Sequence, residues 1–259
     1  MASKVIFFGN GPLADYALEV IEKDCEVIFH ARSRDDLEEV CRIKNEVPEA
    51  YGILASFGVM IPKDVLELFE PKGILNIHPS LLPLYRGASP IESAIINGDT
   101  EFSVSVMKLV KAMDAGPIYY QTTLSDLPLC KDDIYKALAE TGANWICKNL
   151  MNLSEPVLQD DSRATYCGKL DKSMSLLTPE TDTAETTFRK IVAYQGYPKP
   201  KYSFYGIKCI ILEAHILSQN ETAALSIPCA DGGVVAIDRL QPEGKKPMDA
   251  KSFINGYKK

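Results

Sequence analysis

A chain of 259 residues with net charge −7, 46% hydrophobic and 24% charged, has the composition of a folded globular protein and room for one large domain or two modest ones. No apolar run approaches the roughly 20 residues that a membrane helix needs. The start, Met1-Ala-Ser-Lys, runs into an apolar strand without signal-peptide architecture, so the cytoplasm is the expected compartment and no membrane partner is expected. The seven cysteines are scattered, with no Cys-x-x-Cys pair and no Cys/His cluster of zinc spacing; reduced, mostly buried thiols and no metal site are expected.

In chain order, Val5-Ile-Phe-Phe8 reads as a buried strand running into Gly9-Asn-Gly-Pro and a helix over 13–21. Residues 26–29 form the next strand and 35–43 a helix with apolar Leu37, Val40 and Ile43. Residues 51–57 are a third strand, and Pro62 opens a helix through Phe69 from the favoured first-turn position. Ile74 to Ile77 is a short apolar run stopped by Pro79, hence a strand. Strands alternating with helices at this spacing predict right-handed βαβ units, and so an α/β fold with a doubly wound, mostly parallel sheet. A helix over 90–96, an alternating strand over 102–110, a strand over 118–124 and a long helix over 132–153 follow. The polar segment 154–163, with its proline, reads as a linker. Beyond it come one helix over 184–194 and short strand-like runs at 202–205, 207–212 and 233–237, the composition of a small C-terminal β-barrel. The expected domains are therefore residues 1–160 and 161–259. Acidic residues outnumber basic ones up to Ser162, whereas Arg163–Lys259 is net basic. A basic second domain suits an anionic partner such as nucleic acid, although solvated lysines explain the imbalance more simply.

Three constellations could carry chemistry. Gly9-x-Gly11-x-x-Ala14 matches a dinucleotide fingerprint, but the second strand ends in His30-Ala-Arg-Ser without the acid that grips a ribose; Arg32 could suit a 2′-phosphate. A plain tight turn explains the glycines better. Asn76 and His78 lie two apart on a strand, so they share a face at its carboxyl end. If the loop after residue 110 returns to that edge, Asp114 would orient the imidazole and stabilise the imidazolium, while an Asn amide can donate to a developing oxyanion. Such a trio suits acyl-type transfer to an amine without a serine or cysteine nucleophile; a satisfied loop-capping histidine is the plainer reading. Finally, Leu240-Gln-Pro-Glu-Gly-Lys-Lys-Pro-Met248 is a turn-rich segment whose Lys245 and Lys246 could touch phosphates.

Asn76-Ile-His-Pro-Ser-Leu-Leu-Pro-Leu-Tyr-Arg-Gly87, followed by Ala112-Met-Asp-Ala-Gly116, closely resembles the 10-formyltetrahydrofolate-dependent formyltransferases. Ala88-Ser-Pro-Ile91, Asn97-Gly-Asp99, Ala164-Thr-Tyr166, Lys169-Leu-x-Lys172 and Leu240–Met248 with Phe253-Ile-x-Gly256 resemble the branch acting on methionyl-tRNA. The likeness runs from about Val5 to Gly256. It implies formyl transfer from 10-formyltetrahydrofolate to the α-amino group of initiator methionyl-tRNA, by a monomer that needs no metal. Asn76 would hold the carbonyl oxygen, His78 would move the proton and Asp114 would orient His78. Phe57, Gly58, Val59, Met60 and Ile61, with Val110, Met113 and Asp114, would line the pteridine slot. Ser80, Leu81, Leu82, Pro83, Tyr85, Arg86 and Gly87, together with Arg32, Lys245 and Lys246, would face the acceptor.

One departure bears on the acceptor. Members of this family usually carry a long basic loop after the second strand, whereas here His30-Ala-Arg-Ser-Arg-Asp-Asp alone connects strand and helix. A sugar-nucleotide N-formyltransferase therefore stays open. So do two readings from other classes, an NADP-binding oxidoreductase and a non-catalytic RNA-binding protein.

Overall fold

The computed structural model describes residues 2–258. The chain divides into two compact units, one comprising residues up to Ile91 and Thr100–Gly168, the other Glu92–Asp99 and the residues from Lys169 onward.

The first unit is built on a six-stranded sheet. Its strands are β1 (Ser3–Gly9), β2 (Cys25–Ala31), β3 (Tyr51–Ala55), β4 (Ile74–His78), β6 (Phe102–Lys108) and β7 (Ile118–Leu124), in the order β2-β1-β3-β4-β6-β7. A two-residue strand β5 (Arg86–Gly87) intervenes in the chain and pairs, in parallel, with β8 (Tyr166–Cys167). The first four strands of the sheet run parallel, because helices α1 (Pro12–Asp24), α2 (Leu37–Glu46) and α3 (Lys63–Leu68) supply the crossovers. Val5 to Phe8 are wholly buried, as expected for a strand covered on both faces. Helix α4 (Pro90–Asn97) precedes β6, and α5 (Lys131–Asn149) follows β7.

Side-chain alternation along β4 sets up the site. Ile77 meets α5, where Gly142 lets the helix approach the Ile77 and Val104 methyls closely. Ile74, on the opposite face, joins the core formed with Ile6, Phe8, Leu54, Val40, Val65 and Phe69 under α2 and α3. Asn76 and His78 continue the Ile74 face toward the carboxyl end of the strand.

The parallel pattern stops at β4. β6 runs antiparallel to it, with Leu75 opposite Lys108 and His78 opposite Ser105. The connection that follows β6 therefore leaves at the amino end of β4, where the Leu109 N–H donates to the Ile74 carbonyl (2.8 Å). The connection nevertheless comes beside the His78 edge, as expected, by returning along the sheet until Asp114 Oδ1 lies 3.7 Å from His78 Nδ1.

The second unit carries helix α6 (Ala184–Ala193) and five antiparallel strands: β9 (Lys201–Phe204), β10 (Ile207–Ile216), β11 (Ser226–Pro228), β12 (Val234–Pro242) and β13 (Met248–Asp249). It ends in α7 (Ala250–Tyr257). The strand pairing follows an open path, β11-β12-β10-β9 with β13 on β12, so the expected barrel is a half-barrel. Ile211, Ile227, Val235, Ile237 and Leu240 pack against Ile191 of α6 and Phe253 of α7. Asp249 caps α7 by accepting the Ser252 N–H (2.8 Å), and Phe253 is fully buried one residue later.

His215 on β10 lies between Asp238 of β12 (2.8 Å) and Glu221 in the following loop (3.0 Å). The Asp238 hydrogen bond, helped by Glu221, outweighs partial burial and raises the imidazole above its ordinary value of 6.5. A raised folded value means that this stabilisation is complete below the ordinary value and lost as pH rises through the folded one. Thermal unfolding followed from pH 6 to 9 should show the margin of wild type over His215→Gln shrinking with rising pH; a margin that grows would contradict the assignment.

Candidate active site

Loops, not helices, cover Asn76 and His78. The first is Pro79–Tyr85, and its anchor is Ser105, fully buried in β6 opposite His78. The Ser105 hydroxyl donates to the Ser80 carbonyl (2.6 Å) and accepts the Leu82 N–H (3.1 Å) and the Gln121 amide (2.8 Å). Gln121 also donates to the Leu82 carbonyl (2.8 Å), while the Ser80 hydroxyl closes the turn on the Leu84 carbonyl (2.7 Å).

The loop ends in a turn that holds both His78 and Asp114. The Tyr85 carbonyl lies 3.0 Å from His78 Nε2. A carbonyl only accepts, so Nε2 carries a proton, and Nδ1 is the nitrogen left for chemistry. Asp114 Oδ1 lies 3.7 Å from that Nδ1, too far for a direct hydrogen bond but close enough for strong charge coupling. Asp114 Oδ2 meanwhile accepts the Gly87 N–H at 2.8 Å. Both side chains are largely buried, His78 at 6% exposure and Asp114 at 15%. The Asn76 amide has no hydrogen-bond partner among the described residues, and no buried side-chain polar atom among them lacks one, so the amide keeps an open side. Asn76 and His78 thus share a face as expected, and Asp114 joins them.

Gly87 is required at its position. Its φ is +128°, and a Cβ there would collide with the Cys167 carbonyl oxygen across the β5–β8 pair.

The segment expected to be a linker is part of this machinery. Val157 forms a two-way bridge with Ile118 (2.8 Å each way), and Thr165 accepts the Tyr85 N–H on its hydroxyl (2.8 Å) and the Arg86 N–H on its carbonyl (2.9 Å). Between them, Gln159 accepts from Arg86 and donates to the Asp114 and Gly116 carbonyls. Its sequence signal is weak: a polar run with a proline looks like a linker unless its partners are known.

The remaining expected contacts divide. Phe57 and Ile61 are core residues, Phe57 standing edge-on to Phe8 with centroids 5.7 Å apart. Gly58 is exposed and Val59 half-buried, Met60 is 71% exposed and Met113 60%, and Val110 is half-buried. Ser80, Leu82 and Arg86 turn inward rather than toward an acceptor. Arg86 is only 3% exposed; burial alone would lower its pKa, but hydrogen bonds to Asp161 and Tyr166 hold it above the ordinary value. Leu81 is exposed, and Pro83, Tyr85 and Gly87 are half-buried. Arg32 is exposed beside the exit of β2, with Nε donating to His30 Nδ1 (3.3 Å). His30 Nε2 in turn closes on the Gly9 carbonyl (3.0 Å), so Gly9-x-Gly11 is a tight strand-to-helix turn sealed by a side chain. Lys245 and Lys246 are exposed on the turn between β12 and β13, in the second unit.

The fold is a doubly wound sheet that brings Asn76, His78 and Asp114 together beside its switch in strand direction, the architecture of an α/β enzyme. Residues 13–150 match the formyl transferase family and residues 169–258 the formyl transferase C-terminal domain, and the chain belongs to that family. It is 32% identical over 260 residues to the methionyl-tRNA formyltransferase of Dictyoglomus thermophilum, covering 92% of this chain and 81% of that one. In fold it is similar to the methionyl-tRNA formyltransferase from Clostridium thermocellum, with a TM-score of 0.69 at 18% identity over 93% of this chain and 99% of that one. It is also similar to HypX from Aquifex aeolicus in complex with tetrahydrofolic acid, with a TM-score of 0.76 at 18% identity. That match covers all of this chain but 48% of HypX.

Replacing Gly87 with Ala should cost about 1–3 kcal/mol, because a residue with a Cβ is forced into strained backbone against the Cys167 carbonyl. Urea unfolding measures it directly; an unchanged midpoint would show that the β5–β8 pair yields without cost.

Proposed function

We propose that this formyltransferase moves the formyl group of 10-formyltetrahydrofolate to the α-amino group of methionine on initiator tRNA. The convergence of the Asn76 amide, His78 Nδ1 and Asp114 on one open face carries this reading. The 32% identity to a methionyl-tRNA formyltransferase supports the choice of acceptor.

The neutral amine attacks the formyl carbon, and the carbonyl oxygen becomes an oxyanion that accepts a hydrogen bond from the Asn76 amide. As the new C–N bond forms, the amine nitrogen becomes acidic and gives a proton to His78 Nδ1. The other ring nitrogen already donates to the Tyr85 carbonyl, so the ring becomes an imidazolium, and the Asp114 carboxylate 3.7 Å away stabilises it. Breaking the bond from the formyl carbon to N10 of the folate returns the electron pair to N10, which takes the proton back from His78. Formyl-amine and tetrahydrofolate leave, and His78 is restored.

Gly58, Val59 and Met60, with Val110 and Met113, would offer accessible surface against which the flat pteridine ring rests. The exposed Lys245 and Lys246, on the net basic C-terminal part, suit tRNA phosphates, and Arg32 offers one further cation on the catalytic unit. An acceptor used in translation initiation suits a cytoplasmic enzyme.

Parallel assays should supply 10-formyltetrahydrofolate with methionyl-tRNA or with an amino-sugar nucleotide. Formyl label is expected on methionyl-tRNA; label on the sugar alone would overturn the acceptor assignment. Asp114→Asn should lower kcat by about 10²–10⁴-fold with its unfolding transition intact. A variant that turns over at the wild-type rate would remove Asp114 from the mechanism.

A further inference from the structure

The loop that carries Asp114 has little structure of its own. It leaves β6 at the amino end of β4 and returns over the sheet to His78, with Asp114 in left-handed backbone at φ +48°. Within it, the Ala115 N–H reaches the Ala112 carbonyl only at 3.4 Å. Its base is pinned where the Lys108 N–H donates to the Pro117 carbonyl (2.9 Å), and a Cβ on Gly116 would strike the Lys108 carbonyl.

We propose that Gln159 is a positioning residue for the transfer reaction, clamping the Asp114 loop to Arg86. The role in transfer rests on the formyl-transfer reading above, whereas the clamp itself does not. Both N–H groups of the Gln159 amide are used, on the carbonyls of Asp114 (2.8 Å) and Gly116 (2.7 Å). Its oxygen accepts from Arg86 Nε (3.0 Å) and Nη2 (2.7 Å). The amide cannot be reversed, because arginine only donates and the two carbonyls only accept. Arg86 in turn lies between Tyr85, which holds His78, and Gly87, which holds Asp114 Oδ2. One side chain thereby ties the backbone of the Asp114 loop to the turn that sets the imidazole. Among the described residues Gln159 hydrogen-bonds to neither His78 nor Asn76, and its effect on the reaction passes through the placement of Asp114.

The chemistry of the clamp provides a sharp variant. Glutamate has the shape of glutamine and can still pair with Arg86, but it aims an oxygen at two carbonyl oxygens. Gln159→Glu thus keeps the Arg86 side and releases the loop, whereas Gln159→Met releases both. Asp161, which pairs with Arg86 Nη2 at 2.6 Å, retains a countercharge for the guanidinium in either variant.

Two readouts separate positioning from general stability. Steady-state kinetics of Gln159→Glu should show kcat lowered by about 100-fold, with both KM values within about threefold, as a misplaced group costs in the transition state rather than in binding. Amide hydrogen exchange at Gly87, whose N–H is held by Asp114 Oδ2, should accelerate by about tenfold or more in the same variant. Wild-type exchange at Gly87 with kcat within about twofold of wild type would overturn the proposal. So would a lowered melting temperature with kcat retained below it, or loss of the unfolding transition in both Gln159 variants. If wild type formylates no acceptor while Gly87 exchange still accelerates in Gln159→Glu, the functional reading fails and the clamp stands.

Discussion

Three consecutive residues, Tyr85, Arg86 and Gly87, govern the geometry of this protein's chemistry. The carbonyl of the first fixes which nitrogen of His78 is free, the guanidinium of the second holds Gln159, and the N–H of the third holds Asp114. None of the three reaches its partner independently. Tyr85 has φ +56° and Gly87 φ +128°, and such a turn persists only because its surroundings determine it. Thr165 supplies part of that constraint, and the parallel pairing of Arg86 and Gly87 with Tyr166 and Cys167 supplies the rest. Each of these hydrogen bonds contributes about 1 kcal/mol net, the charged ones more, so the turn is set by their number rather than by any one of them.

The need for this turn follows from the strand reversal at β6. In a parallel sheet the connections after successive strands gather at one edge, and their residues meet without help. Here the strand next to β4 runs the other way, so Asp114 must be returned to His78 by an irregular loop. Such a loop has carbonyls to satisfy, and Gln159 satisfies two of them. Asn76 and His78 share a face of β4 with Ile74. Ile74 on that face lies under α2 and α3, but the polar pair beyond it faces loops, which keeps a side of the Asn76 amide open.

Much of the architecture was legible because it is local. Buried runs such as Val5–Phe8, the Asn76-x-His78 alternation and the Pro62 helix start are readable from neighbours a few residues apart. Boundaries drifted where register or a bulge decided them: β10 continues to Ile216 and β12 to Pro242, past residues that look like strand ends, because bulges after Ile211 keep the antiparallel pairing intact. Helix α7 went unread although Asp249 and Ser252 form its cap, since a short helix after a turn-rich segment offers only two turns of pattern. Arg86 illustrates the limit at the site. An arginine beside a glycine looks like an anion-binding group, and its inward orientation depends on residues more than seventy positions away.

By itself, the sequence determined the alternation of strands and helices and the placing of Asn76 and His78 on one face, while its motifs carried the resemblance to the family. The first two depend on periodicity, turn chemistry or residue type within a short window. Tertiary structure alone decided how Asp114 reaches His78, which imidazole nitrogen is free, and that residues 154–163 are a working part of the site rather than a linker. Those outcomes depend on hydrogen bonds that a turn or a distant segment supplies, from His78 with Tyr85, 7 residues apart, to Tyr85 with Thr165, 80 apart. A polar side chain in a loop has many possible partners, and only the folded chain selects among them.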